Sequence, residues 1–206
     1  MKFYMTPGSC STGIHILLEE LELPFEVYLV NLMAGDQFKS DYIAINPKST
    51  IPSLVNNAGV AITDFQAIAW WLARSYPKAK LIPDRLEDEI RCIELMNYVV
   101  STVHGQGYTR IFTTSNYSDN EAEHAHIQQR GYEIVEKAFA LINVQLATTE
   151  AYVFERFSIA DAPLFYVEFW ADKLKLTLPE HCQAHYQRML TRPAVRRVLL
   201  EEGYRV

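Results

Sequence analysis

Cys10 stands in Pro7-Gly8-Ser9-Cys10-Ser11, between a short apolar run, Phe3-Tyr4-Met5, and a stretch where Ile14, Leu17, Leu18 and Leu21 recur at helical spacing. That order puts the cysteine at a helix N-terminus, where the positive end of the peptide dipoles favours thiolate, the reactive form. The bland alternative is a small buried apolar residue, as most free cysteines are. His104 is the second candidate. It follows Ile93, Asn97 and Val100 at four- and three-residue steps, which places it on a partly apolar helix face. A neutral imidazole there could hydrogen-bond a thiol or a mixed disulfide, or simply be satisfied by a backbone carbonyl.

A third stretch offers backbone rather than side-chain chemistry. Asn46-Pro47-Lys48-Ser49-Thr50-Ile51-Pro52 leads into Ser53-Leu54-Val55, then Asn56-Asn57-Ala58-Gly59, then Val60-Ala61-Ile62. The Asn-Asn-Ala-Gly segment reads as a hairpin connection, with Gly59 free to take positive φ. Thr63 and Gln66 have capping-box spacing, so a helix is expected to open there, with backbone N–H groups near Asp64 and Phe65 able to hold a carboxylate. A cis Ile51–Pro52 bond turns the Ile51 N–H and C=O outward to a peptide-like ligand. About 5–6% of such bonds are cis in folded proteins, so spacing alone favours trans.

These groups need a scaffold, and the remaining pattern supplies one. Phe3-Tyr4-Met5 and Phe25 to Val30 read as strands, flanking a helix over about Ser11–Glu22. Asn31 to Ile45 is polar and irregular, with room for a short helix. Ala67, Ile68, Trp71 and Leu72 mark the helix after the hairpin. Pro77 and Pro83 bracket a linker, and everything from about Leu86 reads as helix. Ile90, Ile93, Asn97, Val100 and His104 share one face of the long helix and Cys92, Met96, Val99 and Val103 another, which predicts packing on both sides. A second long helix runs over about Glu121–Ala147. Ser158 to Asp161 form a further capping box, followed by Pro163, which is expected to cost a helix hydrogen bond.

Composition excludes several classes. The 206 residues carry a formal net charge of −6 and no clustered Lys and Arg, which argues against nucleic acid. No apolar run has the length of a signal peptide or a membrane span. The 3 cysteines are far apart, which favours reduced thiols and a cytoplasmic protein. His181 with His185, and His124 with His126, lack an acidic third ligand in a known pattern and read as exposed helix residues, so no metal is expected. His15 lies beside the buried stripe of its helix and reads as structural. Trp70, next to the buried Trp71, points elsewhere, toward a partner or the second domain.

Asn46 to Leu54, the hairpin and Thr63-Asp64-x-x-Ala-Ile together resemble the glutathione-binding segment of the cytosolic glutathione transferases. Pro-Gly-x-Cys-Ser and the Ser-Ile-Ala-Asp box extend the resemblance along essentially the whole chain, and it is most similar to the bacterial beta class. The resemblance implies an α/β plus all-α chain: a thioredoxin-like glutathione-binding domain over 1–77 and an all-helical domain over 86–206 forming the electrophile side of a cleft. It implies a cis Ile51–Pro52 bond, Cys10 and His104 as catalytic residues, and Ser11, Thr50, Ile51, Pro52, Asp64 and Phe65 as glutathione-binding ones. Glutathione is then the co-substrate, a small hydrophobic electrophile or a disulfide the second substrate, and a homodimer the assembly. Trp170 also matches a beta-class tryptophan, with packing as its main task.

The chain departs from that pattern in several places. Phe65 stands where a small residue, often serine, follows the acid, so a hydroxyl donor is lost and a ring must find room. Met5, Gly35 and Gly105 stand where tyrosine, lysine and lysine can occur. Ser9, Ser11 and Tyr4 are alternative hydroxyl activators beside Cys10. These departures keep open a non-catalytic transferase-like module that binds a protein partner.

Overall fold

The computed structural model describes residues 1–149 and 151–205. The chain divides into two compact units, Met1–Asp84 with Arg188–Val206, and Arg85–Gln187. The last helix therefore packs within the unit of the N-terminal residues.

In the first unit a sheet of order β2-β1-β3-β4 is built from β1 (Lys2–Met5), β2 (Glu26–Leu29), β3 (Ser53–Val55) and β4 (Ala61–Ile62). β1 runs parallel to β2, with Phe3 opposite Val27, and antiparallel to β3, with Phe3 opposite Leu54. The parallel pair is joined through α1 (Ser11–Glu20), and the hairpin β3–β4 leads to α3 (Phe65–Ser75), a thioredoxin-like order of elements. Between β2 and β3 lie two single 3-10 turns, Leu32–Ala34 and Asp36–Phe38, then α2 (Ser40–Ile43). Phe3, Met5, Ile14, Leu17, Leu18, Leu54, Ile68 and Leu72 form the core.

The sequence predicts an amphipathic α1, yet every residue from Ser11 to Leu18 is buried. The reason is α9 (Pro193–Glu201), which packs on α1. Arg192 and Arg197 fasten the two ends by ion pairs to Glu20 and Glu19, both at 2.7 Å. The hairpin forms as expected: Gly59 has φ +79, and Asn56 Oδ1 accepts the N–H groups of Ala58 and Val60 at 3.0 Å.

The second unit is helical. α4 (Leu86–Tyr98) passes into a ten-residue π-helical segment, Val99–Tyr108, and then α5 (Thr109–Phe112). α6 (Glu121–Leu146) follows, capped by Asn120 Oδ1 on the Ala122 N–H at 3.1 Å. α7 (Asp161–Lys173) is buried from Asp161 to Ala171, so it is the centre of this unit. α8 (Glu180–Thr191) supplies the buried Cys182, His185 and Tyr186.

Two helix expectations change. The long helix is packed unequally on its two faces: Cys92, Met96, Val99 and Val103 are buried, whereas on the other face Ile93, Val100 and His104 are half-buried, Ile90 is 53% exposed and Asn97 is exposed. Pro163 removes no ladder bond, because it lies in the first turn of α7, where N–H groups have no intrahelical partner. Regular helix begins at Asp161, one residue after the N-cap Ala160. The Ser158 box is still closed: Asp161 Oδ2 accepts the Ser158 N–H at 2.7 Å and its hydroxyl at 2.8 Å.

Glycine sets one crossing. A Cβ on Gly131 of α6 would lie 2.8 Å from the Gly107 carbonyl, and one on Gly107 would lie 2.6 Å from a Val135 methyl. Only hydrogen at both positions lets the π segment and α6 approach this closely. Among the described residues no helix is long and apolar enough to cross a membrane.

Candidate active site

The cysteine loop is fixed by polar groups on both sides. Ser11 Oγ accepts the Thr6 N–H at 3.1 Å and lies 3.0 Å from the Thr6 carbonyl; Ser9 Oγ donates to that carbonyl at 2.6 Å. Ser11 is fully buried, and its hydroxyl shapes the loop. From the other side Glu202 Oε2 accepts the Gly8 N–H and the Thr12 hydroxyl, both at 2.7 Å, and Oε1 lies 2.9 Å from His15 Nδ1. Gly8 has φ +70, and a Cβ there would sit 1.9 Å from the Tyr204 hydroxyl, so this turn admits only glycine.

Cys10 is the N-cap of α1, as its sequence position predicts. Its Sγ–H donates to the Ile51 carbonyl at 3.6 Å. The expectation of a depressed pKa is overturned. Burial pushes the thiol up to about 12; the Asp64 charge adds to this, and the N–H groups of Cys10 and Ser11 only partly offset it. The helix N-terminus acts in the expected direction but loses to desolvation. Cys92 is likewise pushed up to about 12, first by burial. What distinguishes Cys10 is access: it is 8% exposed, whereas Cys92 and Cys182 are each 0% exposed.

The Ile51–Pro52 bond is cis, as the resemblance implies, and Thr63–Asp64 is cis as well. The segment before Pro52 is held from beneath. Asn46, 1% exposed, donates Nδ2 to the Thr50 carbonyl at 2.8 Å, and the Tyr42 hydroxyl donates to the same carbonyl. Neither residue figures among the sequence candidates. Thr50 Oγ1 donates to Asp64 Oδ1 at 2.9 Å, and Lys48 Nζ pairs with Oδ2 at 3.1 Å. The helix starts at Phe65 with Asp64 as N-cap, so the Thr63 box does not form. The Phe65 ring finds its room in the core, 2% exposed. Cys10, Thr50, Ile51, Pro52, Asp64 and the start of α3 are thus brought together in the first unit. Tyr4 is not part of this group; its ring stacks on Tyr28 at 4.9 Å. Met5 is a core residue, 1% exposed.

His104 lies in the π segment of the second unit. Its Nδ1 is 3.2 Å from the Tyr166 hydroxyl, and its ring meets Trp170 edge-on at 4.9 Å. Tyr108 and Phe112, four and eight residues on, contact the same indole at 5.1 and 5.4 Å. Burial in this aromatic group lowers the imidazole pKa to about 4, so the ring is neutral near pH 7.

His185 corrects the reading of helix histidines as exposed. It is 1% exposed, with Nδ1 at 2.8 Å from Glu168 Oε2 and Nε2 at 3.1 Å from Asp161 Oδ1. Burial opposes its charge, but the two carboxylates outweigh burial and raise its pKa. His181 is half-buried and His126 exposed. The buried cluster ties α8 to α7 and serves structure.

Residues 8–75 match the family model described as the N-terminal domain of glutathione S-transferase. Glutathione S-transferase GstA of Escherichia coli O157:H7 is 35% identical, over 98% of this chain and 99% of its own. Among solved structures, a glutathione transferase homologue from Sulfitobacter with bound glutathione superposes with a TM-score of 0.89 at 27% identity, covering 97% of both chains. A bacterial beta class glutathione S-transferase from Sphingomonas chungbukensis gives 0.85 at 27% identity, covering 98% of this chain and 99% of that one.

Proposed function

The chain belongs to the glutathione S-transferase family, and from that premise we propose that it binds glutathione along Thr50-Ile51-Pro52 and joins its sulfur to a small hydrophobic electrophile. Exchange of Cys10 with a disulfide is a second activity of the same site. The observation that carries this reading is the Cys10 thiol on the Ile51 carbonyl. Ile51 is the backbone unit suited to pair with the cysteinyl part of the tripeptide, so the glutathione sulfur arrives beside Cys10. A ligand carboxylate is held at the start of α3 by the backbone N–H of Phe65, and the Asp64 carboxylate beside it suits a ligand ammonium.

The raised pKa of Cys10 assigns its resting form. A neutral S–H donates a hydrogen bond, first to Ile51 and then to the bound glutathione thiolate, which attacks the electrophilic carbon and expels the leaving group. Exchange needs the other form: Cys10 thiolate attacks oxidised glutathione, the S–S bond breaks, and one glutathione thiolate departs.

The glutathione-binding residues of this reading lie within 1–77, the beta class is the matching class, and the assembly is a homodimer. Leu86 and Ile90, one turn apart on α4, are 65% and 53% exposed, which supports an interface on that helix. Three unpaired buried cysteines support a reducing compartment, the cytoplasm.

Retention on immobilised glutathione, together with turnover of a chloronitroarene, tests the proposal. Retention with turnover is expected. Failure of both would favour a non-catalytic module that binds a protein partner.

A further inference from the structure

We propose that His15, Glu19 and Glu201 form a binding site for a divalent transition metal of the zinc class, away from the Ile51 edge and unused by the transfer chemistry. α1 and α9 bring one ligand atom from each of these residues within 4.8 Å of one another. His15 is 2% exposed. Its Nδ1 lies 2.9 Å from Glu202 Oε1, so in the neutral ring the proton sits on Nδ1 and the Nε2 lone pair is presented. Nε2 is buried and makes no hydrogen bond among the described residues. Glu201 Oε2 lies 3.3 Å from it.

A nitrogen lone pair facing carboxylates is repulsive unless positive charge sits among them. Arg197 on Glu19 supplies part of that charge, and a metal ion on Nε2 supplies the rest. The surroundings are those of a ligating histidine. Glu202 orients the ring as a carboxylate does behind a metal-bound imidazole, and Glu202 is itself held by Gly8 and Thr12. Phe3 and Phe25 flank the ring, with centroids at 5.8 and 5.6 Å. One imidazole with two carboxylates suits zinc, cobalt or manganese, whereas calcium and magnesium take oxygen alone.

The charges facing His15 are Glu19 on its own helix, Glu201 at the end of α9 and Glu202 just beyond it. Arg197 holds one Glu19 oxygen at 2.7 Å, but Arg197 is 57% exposed and able to turn outward. Glu201 is 50% exposed and gives the ion a path from solvent. A bound ion ties α9 to α1.

The test is calorimetric titration of Zn²⁺ into the chelator-treated full chain, in a Cys10→Ser background so that this thiol cannot compete. Binding is expected near neutral pH, weakened at least about tenfold in both Glu19→Gln and Glu201→Gln. In the unsubstituted protein, Co²⁺ should broaden the ring signals of His15 before those of the other histidines. Absence of binding, equal affinity in both carboxylate variants, or broadening of another histidine with His15 untouched would overturn the site.

Discussion

Glu202 accepts the backbone N–H of Gly8 at 2.7 Å across 194 positions of sequence, and so joins the end of the chain to the loop that carries Cys10. With the Thr12 hydroxyl and His15 Nδ1 on the same carboxylate, three polar groups depend on one side chain. Glu202→Ala takes this acceptor away from all three. The expected cost is about 3 kcal/mol, read as a lower denaturant midpoint, with Glu202→Gln losing clearly less because it keeps an acceptor. In the same alanine variant Cys10 should be alkylated faster, since its loop is no longer braced. A fall in stability below about 1 kcal/mol would show that the loop holds itself.

Cys10 gives the second prediction. Its pKa is raised from 9.0 to about 12, chiefly by burial. The native thiol should therefore react with iodoacetamide far more slowly at neutral pH than in the unfolded chain. The linkage follows in sign: the folded state holds its proton where the unfolded thiol has lost it, so stability falls as pH rises from 9 toward 12. Cys10→Ala should remove part of that alkaline loss. Native alkylation at the unfolded rate would refute the buried, neutral thiol.

Much of this was legible in the sequence because it is local. Strand and helix periods, the Asn56–Gly59 turn and the place of Cys10 before α1 are each set by residues within one or two turns. What escaped depends on distant partners. Nothing near Glu202 announces that its carboxylate reaches Gly8. His185 shares the spacing of a surface pair with His181, and only Glu168 and Asp161 on α7 make it a buried group. Tyr42 and Asn46 sit in a stretch with no clear period, yet they hold Thr50. For Cys10 the helix end acts with the sign its position implies, but its weight against burial is set by packing that no local stretch encodes.

His104 gives the third. Burial lowers its pKa from 6.5 to about 4. A group whose neutral form is preferred on folding contributes stability present above 6.5 and lost as pH falls toward 4. The ring signals of His104 should stay constant from neutral pH down to about 5 and move only below that. His104→Phe keeps the contact with Trp170 and should flatten the acid limb of the stability curve. A midpoint near 6.5 would show an imidazole open to water.

The last prediction concerns Gly131, in the interior of α6. On helix propensity alone, alanine there should stabilise by about 1 kcal/mol. The packing predicts the reverse. The new methyl would meet the Gly107 carbonyl at 2.8 Å, Ile111 Cγ1 at 2.9 Å and Arg110 Cβ at 3.0 Å. Backbone on the π segment cannot turn aside as a flexible side chain can, so α6 has to move outward. Overpacking of this kind costs about 1–3 kcal/mol, more than the propensity gain returns. Gly131→Ala should therefore lower the melting temperature, and the shift should be largest in probes of the helical unit. His104 stands three residues before Gly107, so the displaced segment should also change the His104–Trp170 contact, visible as altered tryptophan fluorescence. An unchanged or higher melting temperature would mean that the two helices do not cross this closely.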